Sequence, residues 1–224
     1  MTIPQPRDAA SPRQGRLGQR RLELPRLYVI LDPSCFASAQ DLFSAAQQWC
    51  DAGVSLLQYR NKSGNAREML EQARELRQRL GKTVRLIMDD RADLAVATGF
   101  DGVHMGQDDL SPEAARKIIG KNLYLGVSTH NSEQITEAAQ TSADYLAIGP
   151  VFTTSSKQQP DPVVGLEGVR GARQLTNKPL VAIGGITRRN CHAVIEAGAD
   201  SVAVISDLVR EPRKSAEEFL RILG

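Results

Sequence analysis

The sequence has few cysteines, and none of them stands in a paired arrangement. The three, Cys35, Cys50 and Cys191, are scattered and odd in number among 224 residues, and no Cys-x-x-Cys spacing occurs. Neither a disulfide framework nor a zinc site is therefore indicated. A reducing compartment, the cytoplasm, is the expected location.

Long apolar runs and a strong net charge are also missing. No run approaches the roughly 18 apolar residues that a membrane span requires, so a membrane protein is not expected. The formal net charge of +2 is too small to indicate a nucleic acid as partner. With 41% hydrophobic and 24% charged residues, the composition is that of a globular protein. The length suffices for one domain with a large core.

The first 25 residues differ in composition from the rest of the chain. Residues 1–26 contain six arginines, four prolines and only two acidic residues, without the apolar segment of a secretory signal. We expect a basic, mostly disordered arm over residues 1–25 and one folded catalytic domain over residues 26–224. Docking of a partner by the arm and an Arg-rich transit peptide are the alternatives.

From residue 27 onward, short apolar runs rich in β-branched residues alternate with amphipathic segments. The runs predict eight strands, at residues 27–32, 54–60, 84–89, 102–105, 123–127, 145–149, 180–184 and 201–206. The amphipathic segments predict eight helices, at residues 38–51, 65–80, 91–98, 112–119, 131–140, 167–175, 188–197 and 215–222.

The regular alternation favours one fold class. Near-continuous apolar strands are typical of a parallel sheet that is buried on both faces. Eight strands, each followed by a helix, predict a (β/α)₈ TIM barrel, in which the active site lies at the C-terminal ends of the strands. A doubly wound open sheet is the alternative, but it would normally have fewer strands, and no Gly-x-Gly-x-x-Gly motif follows the first run.

Two acidic pairs, Asp89-Asp90 and Asp108-Asp109, follow the third and fourth predicted strands. The ends of neighbouring parallel strands meet at one face of a barrel, so these carboxylates would converge. Mg²⁺ commonly binds one or two carboxylates together with water and substrate phosphate. We predict Asp90 and Asp109 as metal ligands. One acid of each pair could instead cap a helix, a role that suits Asp108 better.

Basic and hydroxyl side chains follow two other predicted strands. Gln58, Arg60 and Lys62 share one side of the second strand and suit an anionic ligand. Alternatively, Arg60 pairs with an inner carboxylate such as Asp90. After the sixth strand, residues 153–157 combine four hydroxyls with a lysine, a set that can donate at least about five hydrogen bonds to an oxyanion.

The last two predicted strands end in small residues. Gly184-Gly185 closes the seventh strand and Ser206 the eighth, and loops at these positions form a recurrent phosphate site of TIM barrels. We therefore expect two anion subsites, one assisted by a metal near strands two to four and six, and one without metal near strands seven and eight. The loop over residues 158–165 is the longest inside the domain and is typical of a lid.

In this order and spacing, the motifs resemble those of the thiamine-phosphate synthase family, the thiamin-phosphate pyrophosphorylases. The resemblance extends from about Leu27 to Ser206, which is nearly the whole predicted fold. It rests on the segments 58–62, 90–95, 102–110, 126–130, 149–157 and 183–186.

The resemblance implies a transferase of thiamine biosynthesis. Such an enzyme joins 4-amino-5-hydroxymethyl-2-methylpyrimidine diphosphate to a thiazole monophosphate and produces thiamine monophosphate and pyrophosphate. One Mg²⁺ in each active site assists the departure of pyrophosphate, and the thiazole nitrogen captures the pyrimidine carbocation that remains.

Residue roles also follow by analogy with the family. The metal ligands are Asp90 and Asp109. The catalytic residues are Arg60, Lys62, Ser128 and Lys157. The pyrimidine diphosphate is bound by Gln58, Arg60, Lys62, Asp89, Ser128 and Lys157. The thiazole phosphate is bound by Thr154, Ser156, Gly185, Ile205 and Ser206.

Three positions depart from the family pattern. Asp89 stands where the family usually has Asn, and a second carboxylate near pyrophosphate is repulsive unless a metal bridges it or it is protonated. We expect Asp89 either in the metal shell or as an acceptor for Arg91. Residues 154–157, Thr-Ser-Ser-Lys, replace the usual Thr-x-Thr-Lys and keep the hydroxyl. Asn61 stands where an acid is common, a change we expect to be tolerated.

Two other functions stay open. A thiazole tautomerase of the same barrel superfamily would use a histidine, for which His130 is available, and would need neither Gln107 nor Asp109. A non-catalytic scaffold that binds thiamine phosphate is the second. The sequence also leaves open the oligomeric state, although small barrels often form homo-oligomers, and whether the thiazole acceptor is carboxylated.

Overall fold

Eight parallel strands form a closed barrel in the computed structural model, which describes residues 22–154 and 161–224. The strands are β1 (Leu27–Leu31), β2 (Leu56–Tyr59), β3 (Arg85–Asp89), β4 (Gly102–Met105), β5 (Tyr124–Thr129), β6 (Tyr145–Ile148), β7 (Leu180–Ile183) and β8 (Ser201–Val204). Each strand pairs with its neighbour along the chain, and β8 closes the barrel on β1. The predicted TIM barrel is confirmed, and the alternative of an open sheet is wrong.

Eight α-helices surround the barrel within the described ranges. They are α1 (Ala39–Asp51), α2 (Ala66–Leu80), α3 (Ala92–Thr98), α4 (Pro112–Ile119), α5 (Ser132–Ala139), α6 (Gly165–Leu175), α7 (Cys191–Glu196) and α8 (Pro212–Leu223). Single 3₁₀ turns follow β1, at Pro33–Cys35, and β8, at Ser206–Leu208. In this part of the chain, no helix has the length and apolarity that a membrane crossing requires. Most of the predicted basic arm, residues 1–21, lies outside the described residues.

The predicted helix α7 is shorter than the sequence pattern indicated. It begins at Cys191 and not at residue 188, because Thr187 N donates to Asn190 Oδ1 at 2.7 Å and forms a turn just before the helix. In such a turn, a side-chain oxygen accepts from a nearby backbone N–H and competes with the hydrogen bonds of a first helical turn.

The strands bury side chains on both faces, as the apolar runs require. On β1, Leu27, Val29 and Leu31 pack outward against the helices, while Tyr28 and Ile30 point into the barrel. The interior layer continues around the barrel with Leu56, Ile87, Tyr145, Ala147, Val181 and Ala203. The interior is therefore a packed core with an open end only where the strands finish.

A repeated Arg–Asp arrangement ties the strands together at the opposite, N-terminal end of the barrel. An Asp immediately before β4, β6 and β8 accepts one hydrogen bond from an arginine and one from the backbone N–H of the first or second residue of the preceding strand. The three sets are Arg77, Asp101 and Leu86; Arg116, Asp144 and Leu125; Arg173, Asp200 and Leu180. These contacts satisfy strand N–H groups that the ladder leaves open and stand far from the strand ends that form the site.

Candidate active site

A cavity of about 730 Å³ opens at the C-terminal ends of the strands, and every strand contributes to its lining. The lining includes all predicted site residues that the structure describes, namely Gln58, Arg60, Lys62, Asp89, Asp90, Asp109, Ser128, Thr154, Gly185, Ile205 and Ser206. The remaining two predicted residues, Ser156 and Lys157, lie outside the described residues, as do residues 158–160 of the predicted lid. The structure thus gathers the predicted residues at one place, at the face where TIM barrels carry out chemistry.

Two cations and several carboxylates meet on the β1–β4 side of the cavity. Lys62 Nζ lies 2.9 Å from Asp89 Oδ2 and also contacts Asp90. Arg60 contacts the buried Asp32, and its Nε lies 4.0 Å from Asp89. The alternative that Arg60 pairs with an inner carboxylate is confirmed, but its partners are Asp32 and Asp89. The suggested partner Asp90 is wrong, because Asp90 contacts Lys62 instead. Burial lowers the pKa of Lys62, but Asp89 and Asp90 outweigh it and raise that pKa.

Asp89 is, with Asp32, one of the two buried carboxylates of this cluster. Burial raises its pKa, and the positive charge of Lys62 opposes that rise. Its Oδ2 faces the Lys62 ammonium but accepts no well-oriented hydrogen bond from the described residues. Arg91, the expected donor, instead binds Asp93, with Nε 2.8 Å from Oδ1. The prediction that Asp89 accepts from Arg91 is therefore wrong.

Asp90 and Asp109 fit a divalent cation. Asp90 has a φ of 59°, a left-handed conformation unusual for a residue with a side chain. Its buried Oδ1 has no hydrogen-bond partner among the described residues. Asp109 accepts from Gly106 N at 2.7 Å. Burial and hydrogen-bonding contact with Asp90 raise the pKa of Asp109. Two touching carboxylates with an unsatisfied oxygen are a donor set that a hard cation would stabilise.

Other acidic and histidine side chains do not enlarge this pair. No group of three or more His, Cys, Asp or Glu residues within residues 22–154 and 161–224 has the arrangement of a metal cage. A cation here would therefore complete its shell with water and substrate oxygens, as Mg²⁺ usually does.

The prediction that Asp108 caps the next helix is wrong: the N-cap is Ser111, whose hydroxyl accepts from Ala114 N at 3.2 Å. Asp108 lies at the exposed edge of the cavity.

A chain of side-chain hydrogen bonds crosses the barrel interior beneath the cavity. Gln58 Nε2 donates to Tyr28 Oη at 3.0 Å, and Tyr28 Oη lies 3.0 Å from Tyr145 Oη. Tyr145 Oη lies 3.1 Å from His104 Nδ1, and His104 Nε2 lies 2.8 Å from Ser128 Oγ. Burial lowers the pKa of His104 to about 4, so its imidazole is neutral at physiological pH. The chain links two predicted site residues, Gln58 and Ser128, through three that sequence reasoning missed.

The missed residues carried signals in the sequence. Asp32 ends the first strand and is buried beside Arg60, so it follows the same rule of polar residues at strand ends. His104 is a polar residue inside an otherwise apolar strand, and such a residue needs a hydrogen-bond partner. Tyr28 and Tyr145 stand within apolar runs, where the pattern indicates burial and nothing about their hydroxyl groups.

The β7–β8 side of the cavity is built differently. Gly184 and Gly185 have φ angles of 101° and 62°. A Cβ on Gly185 would lie 2.5 Å from the carbonyl oxygen of Thr153, and one on Gly184 would lie 2.5 Å from Pro150 Cβ. The two glycines are therefore needed for the close approach of the β6 and β7 loops. Among the described residues, the lining that β7, β8 and their loops contribute carries no charged side chain.

His130 is held at the edge of the cavity by its neighbours. Its Nδ1 donates to the carbonyl oxygen of Gly149 at 2.6 Å, and its Nε2 lies 3.5 Å from Asp161 Oδ2. The neighbouring Gln107 donates its Nε2 proton to the carbonyl oxygen of Ser128. These contacts bring the ends of β4, β5 and β6 together around the predicted metal-assisted subsite.

The geometry agrees with the comparisons with known proteins. Residues 27–208 match the family model described as thiamine monophosphate synthase. The chain belongs to this family. It is 59% identical over 205 residues to the thiamine-phosphate synthase of Koribacter versatilis (strain Ellin345), covering 90% of this chain and 97% of that protein. It is 42% identical to that of Chloroflexus aurantiacus (strain ATCC 29366 / DSM 635 / J-10-fl), over 82% of this chain and 85% of that protein.

Solved structures show the same likeness. The thiamine phosphate pyrophosphorylase from Pyrococcus furiosus superposes with a TM-score of 0.79 at 35% identity, covering 88% of this chain and 95% of that one. A 3-hexulose-6-phosphate synthase superposes with a TM-score of 0.68 at 17% identity, over 89% and 100% of the two chains, which shows the shared barrel alone. The family predicted from the sequence, its synthase activity and its transferase class are confirmed.

Proposed function

We propose that the enzyme joins 4-amino-5-hydroxymethyl-2-methylpyrimidine diphosphate to 4-methyl-5-(2-phosphoethyl)thiazole to form thiamine monophosphate and pyrophosphate. A carboxylated thiazole would react in the same way with additional loss of carbon dioxide. The observation that carries the proposal is that one cavity contains two differently built anion regions. One has cations and a carboxylate pair, and the other has neutral donors and glycines.

The diphosphate would lie on the β2–β5 side. Asp90 and Asp109 would hold one Mg²⁺, which when bound supplies positive charge to the departing pyrophosphate. Arg60 and Lys62 line the same side and, together with Lys157, would neutralise the leaving group, while Ser128 would donate a hydrogen bond to it. Stabilising the charge that develops on a leaving group is where fixed donors lower a barrier most.

Asp89 has a positioning role in this proposal. Its carboxylate lies 2.9 Å from the Lys62 ammonium, and its side chain is otherwise buried in the cavity wall. A charged neighbour at this distance restrains a flexible lysine that is about half exposed. Asp89 would therefore aim Lys62 at the diphosphate and touch the substrate only at its edge.

The pyrimidine ring would lie between Gln58 and the floor of the cavity. Gln58 Nε2 is engaged by Tyr28, which leaves Oε1 to accept a proton from the 4-amino group. The floor consists of the buried apolar residues Ile30, Ala147, Val181 and Ala203. A water-poor floor suits a reaction that passes through a carbocation, because water would capture the cation in place of the thiazole.

The thiazole phosphate would lie on the β7–β8 side. The groups that would bind it are Thr154, Ser156, Gly185, Ile205 and Ser206. Neutral hydroxyl and backbone donors suffice for a phosphate monoester. Keeping charged side chains away from this end would direct the metal and the lysines to the diphosphate alone.

Pyrophosphate release from the two substrates, measured with folded protein and Mg²⁺, tests the proposal. We expect release that depends on both substrates and stops when EDTA removes the metal. A thiazole tautomerase would be indifferent to EDTA, and a binding scaffold would release nothing. Absence of pyrophosphate with Mg²⁺ present would contradict the proposed reaction.

The scattered free cysteines agree with the reducing cytoplasm that we propose as the location of the enzyme.

A further inference from the structure

Tyr28, Tyr145 and neutral His104, the inner members of the buried hydrogen-bond chain from Gln58 to Ser128, each have one polar proton. Gln58 donates to Tyr28, and among the described residues the other partner of the Tyr28 hydroxyl is Tyr145, so the Tyr28 proton is paired only when it is donated to Tyr145. Tyr145 in turn donates to His104 Nδ1, which places the imidazole proton on Nε2. His104 Nε2 then donates to Ser128 Oγ, so that the hydroxyl proton of Ser128 is left for the cavity.

We propose that this chain couples the two ends of the pyrimidine diphosphate, so that Gln58 presents an acceptor to the ring only while Ser128 presents a donor to the diphosphate. The proposal rests on the placement of the substrate described under the proposed function. Tyr28, Tyr145 and His104 are then positioning residues, since none of them needs to touch a reacting atom. Recognition of the 4-amino group would in this way orient the Ser128 donor, which lies four hydrogen bonds away.

The opposite direction of the chain would harm binding at both ends. If Gln58 turned its amide to offer N–H groups to the ring, Tyr28 would donate to its oxygen and every further proton would reverse. Ser128 would then donate to His104 Nε2 and offer only lone pairs to an anion. A 4-oxo pyrimidine, which has an acceptor at this position, would therefore lose the Ser128 contact as well as the match at Gln58.

The residues around this chain of hydrogen bonds leave little room for water to interrupt it. Tyr28 and Tyr145 are each 1% exposed, and His104 is 7% exposed. A Cβ on Gly126 would lie 2.1 Å from Tyr145 Cζ and 2.4 Å from His104 Nδ1. Only glycine at this position of β5 lets the two rings meet. Because a buried polar group without a partner is costly, the chain is expected to keep all its links in one consistent direction.

The substitution Tyr145→Phe removes one hydroxyl from the middle of the chain and leaves both ends in place. We expect kcat/KM for the 4-amino substrate to fall about tenfold, and that for its 4-oxo analogue to fall much less, which lowers the discrimination between them by about the same factor. The KM for the thiazole phosphate should not change. Tyr59→Phe is the matched control, because Tyr59 is a buried tyrosine whose hydroxyl binds Gln72 and Asn61 outside the cavity. It should leave the discrimination unchanged.

Two results separate this inference from the proposed placement of the substrate. Equal loss of kcat/KM for both pyrimidines in Tyr145→Phe would overturn the coupling and leave a structural role. If Gln58→Met kept the wild-type discrimination, both the placement and the coupling would be wrong.

The tautomer of His104 offers a test that needs no activity. Nitrogen-15 NMR of the imidazoles in the wild-type protein should show His104 neutral with its proton on Nε2, and His104→Asn would identify its signals among those of the three histidines in the sequence. A proton on Nδ1 in the presence of the pyrimidine diphosphate would overturn the proposal even if Tyr145→Phe failed to fold.

Discussion

Lys62 Nζ lies 2.9 Å from Oδ2 of the buried Asp89. The carboxylate of Asp89 is buried and faces the region proposed for the diphosphate, so its negative charge restrains Lys62 and at the same time repels the substrate. These two effects oppose each other. We therefore expect replacement of Asp89 to change activity less than replacement of the other residues of this cluster.

We expect Asp89→Asn to change kcat/KM for the pyrimidine diphosphate by less than about fivefold, because an ion pair with a half-exposed lysine contributes about 1 kcal/mol or less. The KM for this substrate should stay or fall, since a repulsive charge is removed. Steady-state kinetics of pyrophosphate release measures both. A loss as severe as that of Asp109→Ala would place Asp89 among the metal ligands.

Asp109→Ala should abolish the metal-dependent step. We expect kcat to fall by a factor on the order of 10²–10³ or more, since charge stabilisation of the leaving group is lost. Binding of the thiazole phosphate, measured by calorimetry, should remain largely intact because its site lies across the cavity. Equal loss of turnover and thiazole-phosphate binding would contradict two separate subsites.

Asp108→Ala is the matched control for that variant. Asp108 is the neighbouring acid, is exposed and lies at the edge of the cavity. Its removal should leave both turnover and thiazole-phosphate binding near wild type.

The fold could be predicted almost completely from the sequence because a parallel barrel buries both faces of every strand. Each strand is then a short apolar run, and polar residues gather where the runs end. The rule found Gln58, Asp90 and Ser128, which all line the cavity. Their roles toward the substrates stay predictions.

The pairing of individual charges could not be predicted in the same way. Arg60 reaches Asp32 and Lys62 reaches Asp90, although the two cations stand two residues apart just after the same strand. Which carboxylate a long side chain meets depends on the tilt of neighbouring strands and on rotamers, and sequence spacing contains neither. The left-handed backbone of Asp90 is equally invisible in a run of acidic residues.

Gly185→Ala should weaken both stability and thiazole-phosphate binding. The added Cβ would lie 2.5 Å from the carbonyl oxygen of Thr153, at a residue with a φ of 62°. We expect about 1–3 kcal/mol of destabilisation from the strained backbone and crowding, together with a higher KM for the thiazole phosphate. Denaturant unfolding and kinetics measure the two effects.

Gly171→Ala provides the control for this substitution. Gly171 lies within α6, and no atom outside its immediate helix surroundings lies within 4 Å of an added Cβ. Alanine there should stabilise the protein by about 0.5–1 kcal/mol without any effect on KM. A rise in KM with Gly171→Ala would show that alanine substitution as such disturbs the site.

Asp144→Ala should separate stability from activity. The carboxylate accepts from Arg116 Nη2 at 2.6 Å and from Leu125 N at 2.8 Å, at the end of the barrel opposite the cavity. Its removal leaves a backbone N–H of a buried strand without its acceptor, which costs about 1–3 kcal/mol. The midpoint of denaturant unfolding should fall accordingly, while kcat and both KM values stay unchanged below the transition.

Glu75→Ala is the control: it breaks an exposed ion pair with Arg79 on α2 and should cost no more than about 0.5 kcal/mol. A change in kcat with Asp144→Ala at full folding would mean that the two ends of the barrel are coupled.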